Sequence, residues 1–163
     1  QSINLENVDY VGMGAFENCS ALEDVTFSEN IWFIGELAFS NTGMKDVVIH
    51  GYDCYIYESA FKGCRKLETV RLEDGVTFVG TNTFLGCPEL KTIYISKTVK
   101  EFEDNAFNGC EDVLFQVISG SKGHDFIKKL GYNFETVGRV SFFERIAIFF
   151  DNLLGILFGW ILF

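Results

Sequence analysis

One phrase recurs along this chain at an almost fixed interval, and the interval is too short for each copy to fold alone. Aligned on Phe16, Phe39, Phe61, Phe84 and Phe107, the copies are spaced by 23, 22, 23 and 23 residues. Alanine precedes each of these phenylalanines except Phe84, which follows Thr83. Three positions after the aromatic ring stand Cys19, Thr42, Cys64, Cys87 and Cys110. Then comes an apolar phrase: Leu22, Val25 and Phe27, followed in later copies by Met44, Val47 and Ile49, by Leu67, Val70 and Leu72, and by Leu90, Ile93 and Ile95. A further apolar residue stands five places before each phenylalanine, at Val11, Ile34, Ile56, Val79 and Phe102. The phrase closes with period 2, the signature of a short strand with one buried face. About 23 residues cannot enclose a core, so neighbouring copies must stack and turn each apolar set into a continuous ladder. The expected fold is a repeat solenoid, mostly β, of about five units, roughly 25 Å long at the usual strand spacing.

Totals narrow the function. A chain of 163 residues supports one such stack and little else. A net charge of -10 with only 13 basic residues repels phosphate backbones, so no nucleic-acid partner is expected. One proline leaves the bends to the glycines, and Gly12, Gly35 and Gly80 fit tight turns between coils. The chain begins at Gln1 without a methionine or an apolar leader, and is expected to be a piece of a longer product that could have lost a secretion signal. His50 and His124 lie in different units, with no nucleophile triad or phosphate-cradling loop around them. No catalytic residue, metal or cofactor is expected.

The stretches "IGELAFSNTGMKDVVI" and "VGTNTFLGCPELKTIYI" resemble the BspA-type leucine-rich repeat. The resemblance covers about residues 3 to 137, ending in "VISGSKGHDFIKKLGYNFETV", which is similar to the closing helix and strand of such arrays. It implies a right-handed leucine-rich coil over 1–137 with a cap unit at about 117–137, and leaves 138–163 as a hydrophobic C-terminal helix. It also implies a non-enzymatic recognition or adhesion module, secreted or on a bacterial cell surface, binding a host or bacterial surface protein. The family often has proline just after the strand. Here Ser28, His50, Glu73 and Ser96 occupy that place, which leaves the local turn open.

In such a stack the residues between the ladder positions point outward on the concave side. The middle column reads Thr26, Val48, Arg71 and Tyr94, and it is the candidate docking face, with Arg71 and Tyr94 of the residue types enriched in binding hot spots. The flanking column Glu23, Lys45, Glu68 and Lys91 alternates in sign, so the same face can also be read as a solvated charge ladder. A second stripe, six residues before each phenylalanine, reads Tyr10, Phe33, Tyr55, Phe78 and then Glu101. It either turns inward or forms an apolar outer ridge in need of a partner.

The tail "RVSFFERIAIFFDNLLGILFGWILF" is long enough as a helix to cross a bilayer, yet Asp151 and Asn152 interrupt it and only eleven residues follow them. Three readings stay open: a helix packed on the stack or on a second copy as a homo-oligomer, an interfacial anchor, and a bilayer span. Under these readings the chain is alternatively a structural array that, through its hydrophobic tail at residues 140–163, oligomerises or docks on a membrane. The cysteine column tolerates Thr42, so it calls for a small buried side chain and its thiols are expected to be free. Cys54 lies outside that column, in the register of Trp32, Thr77 and Lys100, and is expected to be exposed and reactive.

Overall fold

The computed structural model describes residues 1–141 together with Glu144 and Ile146. The tail readings therefore lie almost wholly outside the described residues. The first five coils each contribute a main strand and a side strand of equal or shorter length. In chain order these are β1 (Ser2–Leu5), β2 (Tyr10–Val11), β3 (Asp24–Phe27), β4 (Phe33–Ile34), β5 (Asp46–Ile49) and β6 (Cys54–Ile56). Then follow β7 (Thr69–Leu72), β8 (Val76–Val79), β9 (Thr92–Ile95), β10 (Glu101–Phe102), β11 (Leu114–Ser119), helix α1 (Lys122–Leu130) and β12 (Phe134–Arg139). The side strands form one sheet in the order β10-β8-β6-β4-β2, and the main strands form another, β12-β11-β9-β7-β5, with β1-β3 as a separate pair. Every described pairing is parallel. The solenoid has about six turns, one more than the repeated phrase counts, because β1 pairs in register with β3 without a phenylalanine–cysteine phrase before it.

The phenylalanine column is the axis of the core. Phe39, Phe61, Phe84 and Phe107 are among its largest buried side chains, and Phe16 packs half-buried at the first coil. Their rings run face to face at 5.1, 5.4, 5.8 and 6.2 Å between centroids, tilted by no more than 14°. One coil supplies one layer, so each ring has at most two partners in its own column.

The main sheet breaks between β3 and β5 where the sequence is one residue short. Cysteine-to-leucine spacing is three in the other coils, but Met44 follows Thr42 by two. Backbones close in at this step: a Cβ on Gly43 would lie 2.4 Å from the Ser20 carbonyl oxygen.

The turns on either side of the phenylalanine are left-handed, in two columns. Gly14, Leu37, Ser59 and Asn82 stand two residues before the ring, and Asn18, Asn41, Gly63, Gly86 and Gly109 two residues after it, all at positive φ. The second column holds only asparagine and glycine, the residues that adopt this region most readily. Gly12, Gly35 and Gly80 serve differently from the expected tight turn, since none has positive φ. At Gly35 and Gly80 a Cβ would come within 2.8 Å of backbone atoms in the preceding coil, so these two allow close stacking.

The far end is closed by the cap unit. Ser121 accepts a hydrogen bond from the His124 amide at the start of α1, and Gly131 ends the helix in the left-handed region. Phe126 of α1 stacks on Phe102 at 4.5 Å, and the Tyr132 hydroxyl donates to the Phe107 carbonyl at 3.0 Å. His124 is occupied in this cap, its Nδ1 accepting from the Gly120 amide.

Candidate functional site

Period 2 on the main strands sends alternate residues outward, and parallel register then aligns them. Val48, Arg71 and Tyr94 are direct partners across β5, β7 and β9, and Gln116 and Glu135 continue the column on β11 and β12. Thr26 faces outward too, but on β3, across the sheet break, where its partner is Asn4. Three of the four expected positions thus form one contiguous cluster and the fourth stands apart from it. Gln116 does not follow from the repeat spacing because the fifth unit is a residue short after Val113, so Phe115 takes the place opposite Ile93 where regular spacing would put Gln116, and Gln116 faces outward beside Tyr94; Glu135 lies in the cap unit, outside the repeated phrase.

The cluster is built around one cation. The Arg71 guanidinium lies 4.3 Å from the Tyr94 ring centroid, and its Nε donates to Glu73 Oε1 at 2.6 Å. Val48 stands beside it, 40% exposed, giving an apolar edge. Burial pushes the Tyr94 phenol up, helped by the nearby carboxylates of Glu73 and Asp74. Further along the column, Gln116 Nε2 donates to Glu135 Oε1 at 2.9 Å. An arginine held over a ring and fixed by a carboxylate has lost much of its side-chain freedom before any partner arrives.

The flanking charge column forms a ladder over part of its length. Glu68 sits between two lysines, 3.2 Å from Lys45 Nζ and 2.5 Å from Lys91 Nζ. Its carboxyl is held below the usual range, first by the hydrogen bond from Lys91 and then by that from Lys45. Glu23 does not reach Lys45; it pairs with the N-terminal ammonium at 3.3 Å and with Lys66 at 3.6 Å. The alternation is interrupted at the same step as the sheet.

The stripe on the side strands is an outer ridge rather than an inward column. Tyr10 and Tyr55 are exposed and Phe33 and Phe78 half-buried. Tyr10 stacks on Phe33 at 4.8 Å and Tyr55 on Phe78 at 5.6 Å, while Tyr57 bridges the two pairs from 4.8 Å and 5.9 Å.

All five cysteines are free thiols. Cys64, Cys87 and Cys110 are buried; the Cys64 and Cys87 thiols donate to the carbonyls of Phe39 and Phe61, two coil layers of the same column. The proximity of Cys64 and burial push the Cys87 thiol up, and burial pushes Cys110 up to about 12. Two expectations need correction. Cys54 is fully buried, with its thiol pushed up to about 12 by burial and the charge of Asp53. A register shift in the β6–β8 pair sets it opposite Val76 instead of Thr77, which places it in the interior column of Ile31, Val76 and Val99. Cys19, although in the repeating column, is exposed on the first coil.

Among the described residues no group of three or more His, Cys, Asp or Glu side chains is placed to hold a metal ion, and no helix is long and apolar enough to cross a membrane.

Comparison with known proteins gives one family. A model described as the BspA type leucine rich repeat region matches residues 1–113 in six copies. No match is found among curated proteins. Among solved structures, the pneumococcal vaccine antigen PcpA is similar with a TM-score of 0.64 at 20% identity, over 85% of this chain and 35% of that one. A leucine rich cell surface protein from Faecalibacterium prausnitzii A2-165 gives 0.51 at 28% identity, over 75% of this chain and 27% of that one. A leucine-rich repeat protein from Bacteroides ovatus ATCC 8483 gives 0.55 at 20% identity, over 85% and 44%. The chain thus spans less than half the length of each of these structures.

Proposed function

Since the chain belongs to the BspA-type leucine-rich repeat family, we propose that it is the recognition module of a secreted or cell-surface bacterial protein and docks a partner protein, in an adhesive role, on the outward face of its main sheet. The observation that carries this reading is the Val48, Arg71 and Tyr94 cluster. An exposed apolar side chain beside a pre-stacked arginine–tyrosine pair, framed by polar residues, has the composition of a small binding hot spot. Thr26 lies beyond the sheet break and would contribute from the rim. A binding role, with no reaction assigned to it, accords with a face whose charged groups are largely paired with one another. The surface location is supported by the Faecalibacterium protein, which is described as a cell surface protein.

The experiment is a binding measurement with the labelled chain on cultured epithelial cells and on bacterial cells, each before and after trypsin treatment. Saturable binding that trypsin abolishes is the expected result. Binding that never saturates, or that survives removal of surface proteins, would rule out a protein partner.

A further inference from the structure

The main sheet leaves a second exposed surface unexplained. On the side sheet, Trp32, Phe33, Tyr52, Asp53, Tyr55 and Tyr57 line a shallow groove of about 500 Å³. Trp32 is 48% exposed and Tyr52 76%. Phe33 and Tyr55 turn much of their ring faces to neighbours in the stack, but Trp32 meets Tyr10 and Phe33 only at tilts of 43° and 53°, and Tyr52 stacks on no ring among the described residues. Trp32 and Tyr52 therefore leave aromatic surface in the groove lining open to solvent.

The charged residue in the groove lining is acidic. Asp53 lies in the lining itself, held by a hydrogen bond of 3.0 Å from the Thr77 hydroxyl, and no lysine or arginine lines the groove. Asp9, whose backbone carbonyl accepts the Trp32 amide, has its carboxylate taken up by the Ser28 hydroxyl at 3.0 Å, so Asp53 is the carboxylate the lining supplies. The face of an aromatic ring is the negative end of its quadrupole, so rings and carboxylate here attract the same ligand, a cation with a flat surface. Guanidinium meets both demands: it stacks on rings and pairs with carboxylate in a fork geometry, which a compact ammonium does less well. We propose that this groove docks a basic, arginine-containing segment of a partner protein, at a site separate from the main-sheet cluster.

The test uses the full chain, a short capped arginine–glycine peptide, and the same peptide with citrulline, arginine's uncharged isostere, at each arginine. Binding is read by fluorescence anisotropy at low and at high salt. The arginine peptide is expected to bind and the citrulline peptide not to. Trp32→Ala and Tyr52→Ala, which leave net charge untouched and remove exposed rings, should each weaken binding about two- to fivefold, the usual range for an exposed cation–ring contact. Asp53→Asn should weaken it further and flatten its salt dependence. The proposal is overturned by no binding of the arginine peptide, by equal binding of the citrulline peptide, or by an affinity that ring removal leaves unchanged, since the overall charge of -10 would then hold the peptide unaided. It is overturned equally if sedimentation shows a dimer of the chain that Trp32→Ala dissolves, because a second copy would then occupy the groove.

Discussion

The sharpest consequence of the stacked architecture is that the same substitution should cost differently in the middle of the stack and at its first coil. Phe61 is fully buried, with one ring partner on each side: Phe39 at 5.4 Å and Phe84 at 5.8 Å. Phe16 has the same place in its unit but is half-buried, and only Phe39 stacks on it in the column, at 5.1 Å. Truncating a buried phenylalanine to alanine costs about 3–5 kcal/mol, and each stacked pair accounts for about 0.5–1.5 kcal/mol. Phe61→Ala removes two pairs and opens an internal cavity, so it belongs near the top of that range, about 4–5 kcal/mol. Phe16→Ala removes one pair from a partly hydrated ring, and about 1–2 kcal/mol is expected. Urea unfolding followed by far-UV circular dichroism measures both, with the slope showing whether the transition remains a single one. A gap of about 2 kcal/mol or more is the expected outcome. Equal losses at the two positions would mean that stability is not carried by nearest-neighbour stacking along the phenylalanine column, and the layer-by-layer reasoning would fail.

Other outcomes follow from single sites. Gly75 has φ of 98° and a Cβ there would fall 1.7 Å from the Gly51 carbonyl oxygen, so Gly75→Ala is expected to cost several kcal/mol, about 3 or more, in the same unfolding assay. In the native protein a thiol reagent should modify Cys19 rapidly and Cys54, Cys64, Cys87 and Cys110 only on unfolding, as counted by mass spectrometry of the labelled chain. Lys97 Nζ donates to Glu144 at 2.6 Å and, with the Ser141 amide, holds that carboxyl at about 2. A carboxyl depressed on folding stabilises the fold above its ordinary value and loses that contribution as pH falls toward 2. Lys97→Ala should therefore raise the Glu144 midpoint in an NMR titration and shrink this acid dependence.

Much of the fold was legible because it is written in columns. The spacing of Phe16 through Phe107 and the alternation at Val25 and Phe27 are long-range regularities that no single-residue propensity can blur, and they fix both the parallel strands and their register. What stayed hidden depends on single-residue departures from the period. The short step at Thr42–Met44 splits the main sheet, and a one-residue shift opposite Thr77 buries Cys54 although its neighbour Trp32 in the aligned unit is exposed. The left-handed columns through Asn18, Asn41 and Gly63 could have been found, since asparagine or glycine recurs there in every unit. Leu37, in the other such column, gives no sequence signal at all. For the candidate site, alternation sufficed to place Val48, Arg71 and Tyr94 side by side. It could not show that Arg71 lies on Tyr94, because that depends on rotamers and on Glu73, two residues away. The outer aromatic stripe was ambiguous for a related reason: with strands of two to four residues, the sequence offers too few alternations to decide which face turns inward.

The central claim is that residues repeated between coils hold the stack while the residues that vary carry recognition. Its most direct test is the double variant Arg71→Ala/Tyr94→Ala, compared with the native chain both for trypsin-sensitive binding to cells and for its urea midpoint. Neither side chain is in the core, so the midpoint should change little, by no more than about 1 kcal/mol in stability. Binding should fall at least about tenfold, as for the loss of a hot-spot pair. Undiminished binding at an unchanged midpoint would contradict the claim and move recognition off the main sheet.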